Sequence, residues 1–343
     1  MSSPSAPGVP APDVFGQILM ISRGYAPAAC LHVAAKLKIA DLLAAGPKPT
    51  SELAHATQTK EDALYRVLRA LASIEVFRET TPRTFANTPL SEAIRSDARE
   101  SARDSVLFMA DQLHMNIYSE LMHTVETGKP AFKKITGMEP FEFFHENEEE
   151  NKAFNNAMTS ISRQFIIPVV QGYSFGESGT LADIGGGHGA LMAAVLQKHR
   201  GLQGIIFDLP HVAEGARPLV ESLGLSSRCQ IVGGDFFKSV PAAQNYVMKS
   251  IIHDWEDEPA ITILKNCASA MRGNGKVILL ELVIDPGNDP AFGKWVDIEM
   301  LAIAGGRERT EAEYAALLAK AGLRLARIVR TPSPVAVIEA VKA

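Results

Sequence analysis

"LADIGGGHGA", Leu181 to Ala190, is the stretch on which the reading of this 343-residue chain turns. An apolar run closes on an aspartate, a glycine-dense segment follows, and a helical pattern then begins. Glycine lets the backbone turn sharply and come close to a ligand, and the next helix offers unpaired N–H groups. The stretch therefore reads as strand, binding turn and helix. The rhythm recurs in "QGIIFDLP" (203–210), "CQIVGGDF" (229–236), "NYVMKSII" (245–252) and "KVILLELV" (276–283), with helical stretches between most of them. Such repetition predicts a parallel, doubly wound sheet. At the end, "RLARIVR" (324–330) and "PVAVIEAV" (334–341) are joined by "TPS", too short for a crossover helix, so they should pair antiparallel.

Upstream of the sheet the pattern is different. From Asp13 to about Ile94 it is helical, clearest in "TSELAHATQTKEDALYRVLRALASIEVF" (50–77), where Thr50 is placed to cap a short helix. Leu64, Val67, Leu68, Leu71 and Ile74 then recur at three- and four-residue spacing. "VFRETTPRTFANT" (76–88) reads as a hairpin with Thr-Pro in its turn, which completes the outline of a winged helix. Residues from Ser101 to Tyr173 read as helical again, rich in Met, Phe and His, a composition suited to lining a pocket. The acidic run Glu146 to Glu150 reads as a solvated helix start. The expected division is a disordered leader at 1–11, a winged-helix-like region at 12–100, a helical linker and pocket region at 101–173, and the sheet domain at 174–343.

Composition narrows the function classes. The formal charge of -5 builds no field to concentrate the chain on nucleic acid or an anionic membrane. Cys30, Cys229 and Cys267 are far apart and odd in number, which suggests neither a disulfide framework nor a thiolate metal site. The opening "MSSPSAPGVPAP" lacks a basic n-region and an apolar h-region, and the expectation is a cytoplasmic protein without nucleic-acid, membrane or metal partners.

The glycine turn alone is ambiguous, because Gly185, Gly187 and Ala190 also satisfy the dinucleotide fingerprint G-x-G-x-x-G/A. Asp183 before the turn argues for a different ligand: a carboxylate there repels a pyrophosphate but holds an amino group. Asp208 ends the second strand, where a carboxylate takes both hydroxyls of a ribose. Asp235 and Phe236 follow the third, placed to meet an adenine amino group and cover the ring face. One such aspartate is as well explained as a cap. Three at consecutive strand ends point to a binding rim.

Taken in order, D-x-G-G-G-x-G, "FDLPHV", "GGDFF", "MKSIIHDWED", "LLELV" and "GGRERT" resemble the S-adenosylmethionine-dependent O-methyltransferases of the plant caffeate and hydroxyindole type, over nearly the whole chain. The resemblance implies an α/β fold: a Rossmann-like seven-stranded sheet with a C-terminal antiparallel hairpin, and a mainly helical winged-helix domain that makes a homodimer. It implies cofactor positions at Gly185, Asp208, Asp235, Phe236 and Lys249, with S-adenosylhomocysteine as product. Asp183 and Gly187 join these from the reading of the turn.

Methyl transfer to oxygen is an in-line displacement in which the acceptor loses its proton as it attacks. A phenol, with a pKa of about 10, needs a base, expected near neutrality, and histidine is the ordinary choice. His253 stands after the fourth strand, on the rim of the three aspartates. By itself it reads first as a strand-end histidine bonded to a backbone carbonyl. The resemblance implies that Glu281 and Glu308 flank it, and a carboxylate beside imidazole fixes its tautomer. Asp254 reads either as a second orienting group or as a backbone ligand before Asp257 caps the next helix. Phe154, Met158, Trp255 and Met300 fall at or near positions where relatives shape an aromatic acceptor pocket, though Met and Phe in helices are more often core. The loop "MLAIAGGRERT" (300–310) is shorter than in plant members, so only an aromatic hydroxyl is inferred as acceptor. Three rival readings stand beside this one. They are a winged-helix DNA-binding regulator, a nicotinamide-dependent oxidoreductase, and a relative that has exchanged methyl transfer for another activity such as hydroxylation.

Overall fold

A computed structural model describes residues 13–343, so the expected leader at 1–11 lies outside the described residues. Two compact units form. One holds residues up to Asn116 together with Glu149–Ser160, the other Ile117–Glu148 together with Ile161–Ala343. The stretch 101–173 is thus divided between them. Among the described residues no single helix is long and apolar enough to cross a membrane.

In the N-terminal unit, β1 (Lys48–Pro49), β2 (Phe77–Thr81) and β3 (Thr84–Asn87) form a sheet in the order β1-β3-β2 behind helices Thr50–Thr57 and Glu61–Ala72. This is the expected winged-helix outline plus a two-residue strand too short to show periodicity. Helix Glu61–Ala72 buries Leu64, Leu68 and Leu71 on one face and sets Glu61 and Asp62 at its positive end. Ile74 falls beyond the helix and is exposed. Thr50 is not the cap: Pro49 holds that position, and Thr50 Oγ1 donates instead to the Arg83 carbonyl at 2.8 Å. Helix Val14–Ser22 buries no residue, and Val14, Phe15, Ile18, Met20 and Ile21 are each more than half exposed.

In the second unit the strands are β4 (Gly179–Ile184), β5 (Leu202–Asp208), β6 (Cys229–Gly233), β7 (Asn245–Lys249), β8 (Lys276–Ile284), β9 (Arg309–Thr310), β10 (Leu323–Arg330) and β11 (Val335–Lys342). Their order is β10-β11-β8-β7-β4-β5-β6. The run from β6 to β8 is parallel, and β11 inserts antiparallel between β8 and β10, as the short "TPS" joint requires. Beyond the expected seven strands, β9 pairs parallel with the end of β8, opposite Val283 and Ile284. Apolar layers cover both faces: Ile261, Leu264, Tyr314 and Leu318 on one, Val169, Leu191 and Val195 on the other. From β4 the chain builds outward through β5 to β6, then returns to the far side of β4 with β7. Open parallel sheets bind ligands at the carboxyl ends of the strands where the order reverses. That places the crevice between the ends of β4 and β7.

Candidate active site

The loops after β4 and β7 meet at that crevice. Gly185 has φ of +70°, and a Cβ there would stand 2.4 Å from Ile251 Cδ1, so only glycine lets the two loops close on each other. After β7, Ser250 takes a left-handed φ of 53° and the chain enters a tight turn at Ile252–Asp254. Such a turn strands backbone polar groups, and side chains from elsewhere answer them. Glu281 Oε1, on β8, accepts from the N–H of Ile251 at 3.1 Å and of Ile252 at 2.9 Å. Arg309 donates to the carbonyls of Ile252 and Trp255, and Arg307 N–H to that of His253.

On this turn the His253 side chain is 14% exposed, while Glu281 and Glu308 beside it are fully enclosed. Nδ1 lies 2.7 Å from Glu308 Oε1 and 3.9 Å from Glu281 Oε2. A carboxylate at the first distance accepts from Nδ1–H, which in the neutral ring leaves the lone pair on Nε2. Asp254 Oδ1 flanks Nε2 at 3.4 Å. Glu308 is itself fixed: its N–H donates to Asp297 Oδ1 at 2.8 Å. Among the described residues Glu281 Oε2 and Glu308 Oε2 have no hydrogen-bond partner. Burial opposes a charge on the imidazole, but Asp254, Glu281 and Glu308 together outweigh it and push His253 up to about 10. This departs from the expected base near neutrality, because one ring faces two enclosed carboxylates and the partly exposed Asp254. Burial in turn pushes Glu281 above the usual carboxylate range, against the pull of His253.

Around the corner, Asp183, next to the last residue of β4, is almost fully buried, with Oδ2 unpartnered among the described residues. Burial pushes it up to about 7, while Lys249 pulls the other way. Lys249 ends β7 between two sets of acids: burial lowers it, and Glu281, Asp183 and Asp254 resist. Asp208 accepts from Gly187 N–H at 2.8 Å and Leu209 N–H at 2.7 Å, and Asp235 from Phe237 N–H at 2.9 Å. Both therefore do the local work of turn aspartates as well as lining the rim. Phe236 lies next to Gly185, and Trp255 sets its ring edge-on against Phe237 at 4.8 Å and Phe236 at 6.2 Å. Trp255 thus stands with the aromatic pair on the rim. Met300 is half-buried on helix Phe292–Ala302, which also carries Asp297. Phe154 and Met158 belong to the N-terminal unit, both half-buried, with Phe154 against Phe108 at 5.7 Å. Asp257 does not cap the next helix: Glu256 does, and Asp257 pairs with Arg309 at 3.0 Å.

Residues 118–324 match the model of the O-methyltransferase domain. This chain belongs to the O-methyltransferase family. Residues 19–97 of the methyltransferase match the O-methyltransferase dimerisation domain. It is 40% identical over 324 residues to the phenazine O-methyltransferase PhzM of Lysobacter antibioticus, covering 94% of this chain and 95% of that one. The crystal structure of LaPhzM superposes with a TM-score of 0.89 at 40% identity, over 97% of this chain and 100% of that one. A second structure, NcsB1 from neocarzinostatin biosynthesis with S-adenosylmethionine and 2-hydroxy-5-methyl naphthoic acid, matches with a TM-score of 0.79 at 31% identity, over 93% and 96% of the two chains. The methyltransferase is an S-adenosylmethionine-dependent enzyme. Its rim fits that cofactor. Asp183 offers a buried, unpartnered carboxylate oxygen to an ammonium group, and no described atom lies within 4 Å of where a Cβ would stand on Gly187.

Arg309 and Asp297 escaped the sequence reading. The signal for Arg309 lies in "GGRERT", next to the glutamate.

Proposed function

We propose that the enzyme methylates a hydroxyl of a small aromatic metabolite, with His253 Nε2 taking the hydroxyl proton and Glu308 and Glu281 supporting the imidazolium that forms. The observation that carries this is the 2.7 Å contact of Nδ1 with Glu308, which dedicates Nε2 to accepting a proton. Bound S-adenosylmethionine supplies an electrophilic methyl group on a sulfonium that leaves as a neutral thioether. For the base, strength matters. Free imidazole, at about 6.5, is far too weak to relieve a phenol of about 10 before attack. A ring raised to about 10 by its carboxylates is matched to the phenol, so the proton transfer is close to thermoneutral. The cost is that only a minor fraction is in the basic form at neutral pH.

Asp183, Gly185, Gly187, Asp208, Asp235, Phe236 and Lys249 are assigned to the cofactor, Phe236 covering the adenine. Met300 is assigned to the acceptor ring, and Trp255, given its contacts with Phe236 and Phe237, to the boundary of the two ligands. Residues of about 12 to 100 are assigned to a homodimer interface. Supporting this are the dimerisation-domain match and the exposed apolar helix Val14–Ser22. Methyl-labelled cofactor and a panel of phenols, with the label located by mass spectrometry, test the reaction. Label on a phenolic oxygen is expected; label on nitrogen alone, or none, would sink the proposal. Light scattering of the intact chain tests the dimer, and an active monomer would remove it.

A further inference from the structure

Arg309 is 1% exposed, which for a guanidinium demands a purpose, since a charge taken out of water must be paired and hydrogen-bonded. Its partners define that purpose. Nη1 donates to the Ile252 carbonyl at 3.2 Å and Nη2 to the Trp255 carbonyl at 2.9 Å, so one planar group grips the backbone on both sides of His253. Nε and Nη2 close on Asp257 Oδ1 at 3.3 and 3.0 Å, fixing the guanidinium against the first turn of the following helix. The neighbouring residue, Glu308, holds the imidazole itself. Two residues earlier, Arg307 N–H takes the His253 carbonyl at 2.8 Å, and a Cβ on Gly306 would stand 1.9 Å from that oxygen. The segment 306–309 therefore grips ring and backbone of the same residue, and Arg309 supplies the rigid fork that sets one against the other.

We propose that Arg309, counter-charged by Asp257, is a positioning residue for methyl transfer: it holds the His253 turn in the register that joins Nδ1 to Glu308. The proposal rests on His253 being the base. A group that only stabilises the fold would, when altered, lower turnover of every acceptor alike. A group that acts through the base would spare acceptors that need none.

The test compares Arg309→Lys and His253→Ala with a simple phenol and with a nitrophenol that is already ionised, in the full-length protein, alongside calorimetric binding of S-adenosylhomocysteine. Arg309→Lys keeps the charge and loses the fork. Phenol turnover is expected to fall about ten- to a hundredfold, the usual cost of misplacing a catalytic group by an ångström or less. Nitrophenol turnover should fall by less than about threefold, with product affinity unchanged. Adding Glu308→Gln to Arg309→Lys should cost less than the product of the two separate losses, because both act through one contact. Equal losses with both acceptors, or losses that multiply, overturn the proposal. If Arg309→Lys is unfolded by circular dichroism, Asp257→Asn, which leaves the guanidinium in place without its counter-ion, is read by the same criteria and decides. If His253→Ala itself shows no preference between acceptors, the base assignment falls; if only Arg309→Lys lacks it, Arg309 positioning falls alone.

Discussion

Two buried glutamates on adjacent strands of one sheet, Glu281 on β8 and Glu339 on β11, have opposite electrostatic fates. They are three rungs apart, since Glu281 faces Ala336 and Glu339 faces Ile278, and the odd offset puts them on opposite faces. Glu339 Oε1 receives Tyr173 Oη at 2.6 Å, Arg327 Nη2 at 2.7 Å and Lys276 Nζ at 3.3 Å. Burial opposes its charge, but these partners prevail and hold it down to about 2. Glu281 has two backbone N–H groups on one oxygen and, among the described residues, no hydrogen bond on the other, which faces His253 Nδ1 at 3.9 Å, and burial drives it upward. A carboxylate supplied with permanent cations is a brace. One left short is in balance only when a neighbour takes up a proton, which is the part proposed for His253.

The sharpest way to break this contrast is to remove the ring. His253→Ala should lower turnover of simple phenols by about a hundredfold to ten-thousandfold, the range for a lost general base. Affinity for S-adenosylhomocysteine, followed by calorimetry, should hardly move, because the cofactor residues are separate groups. If instead the variant binds no cofactor, His253 belongs to the rim, and Glu281 has no proton partner to wait for.

Glu281→Gln sharpens the contrast from the other side. It keeps an oxygen for the Ile251 and Ile252 N–H groups and removes only the charge, so stability should stay within about 1 kcal/mol, while phenol turnover drops about ten- to a hundredfold. The sign of the pH effect follows from His253 lying high, at about 10, because of its carboxylates. The working form is the neutral ring, so the native rate should climb as pH rises from 7 toward 10. With one carboxylate neutralised the imidazolium is less favoured, and the climb should begin at lower pH. An ionised nitrophenol, which needs no base, should show neither the climb nor its displacement. A phenol profile unmoved in Glu281→Gln would mean that Glu281 merely ties the turn.

Much of this was legible before any coordinates. Apolar runs closing near Asp183, at Asp208 and before Asp235 marked the parallel sheet and the carboxyl ends of its strands, where open sheets of this kind take ligands. The three-residue joint "TPS" forced the antiparallel ending. What failed has local causes. Thr50 and Asp257 carry capping side chains, but the cap is set by the backbone of a single residue, and Pro49 and Glu256 take those positions. The strand β9 spans two residues and has no period to read. Arg309 looks like surface charge in sequence, since its partners on the His253 turn and the following helix lie 52 to 57 positions away. The Glu308 contact with His253 spans 55 positions, so it was reached through family resemblance and not through local pattern. The rise of the imidazole was missed for the same reason, as no spacing rule counts three carboxylates converging on one ring.

The smallest expected effect concerns the brace. Glu339→Gln mimics the protonated acid, so it isolates the charge. Because Glu339 lies near 2 in the fold, well below an unfolded glutamate at about 4.3, its contribution is fully present above the unfolded value. It is lost as pH falls toward 2. Breaking an enclosed pair costs about 3 to 5 kcal/mol, but the Arg327 side chain is 61% exposed and recovers solvation when released. A loss of about 2 kcal/mol at neutral pH is therefore the better expectation, or roughly 5 °C in the melting temperature. The gap between variant and native protein should narrow on acidification and close near pH 2. Turnover should stay within about twofold, since Glu339 lies on the face opposite Glu281 and shares no partner with it. If Glu339→Gln loses turnover while keeping its melting temperature, the two glutamates are not the brace and the proton partner that their surroundings indicate.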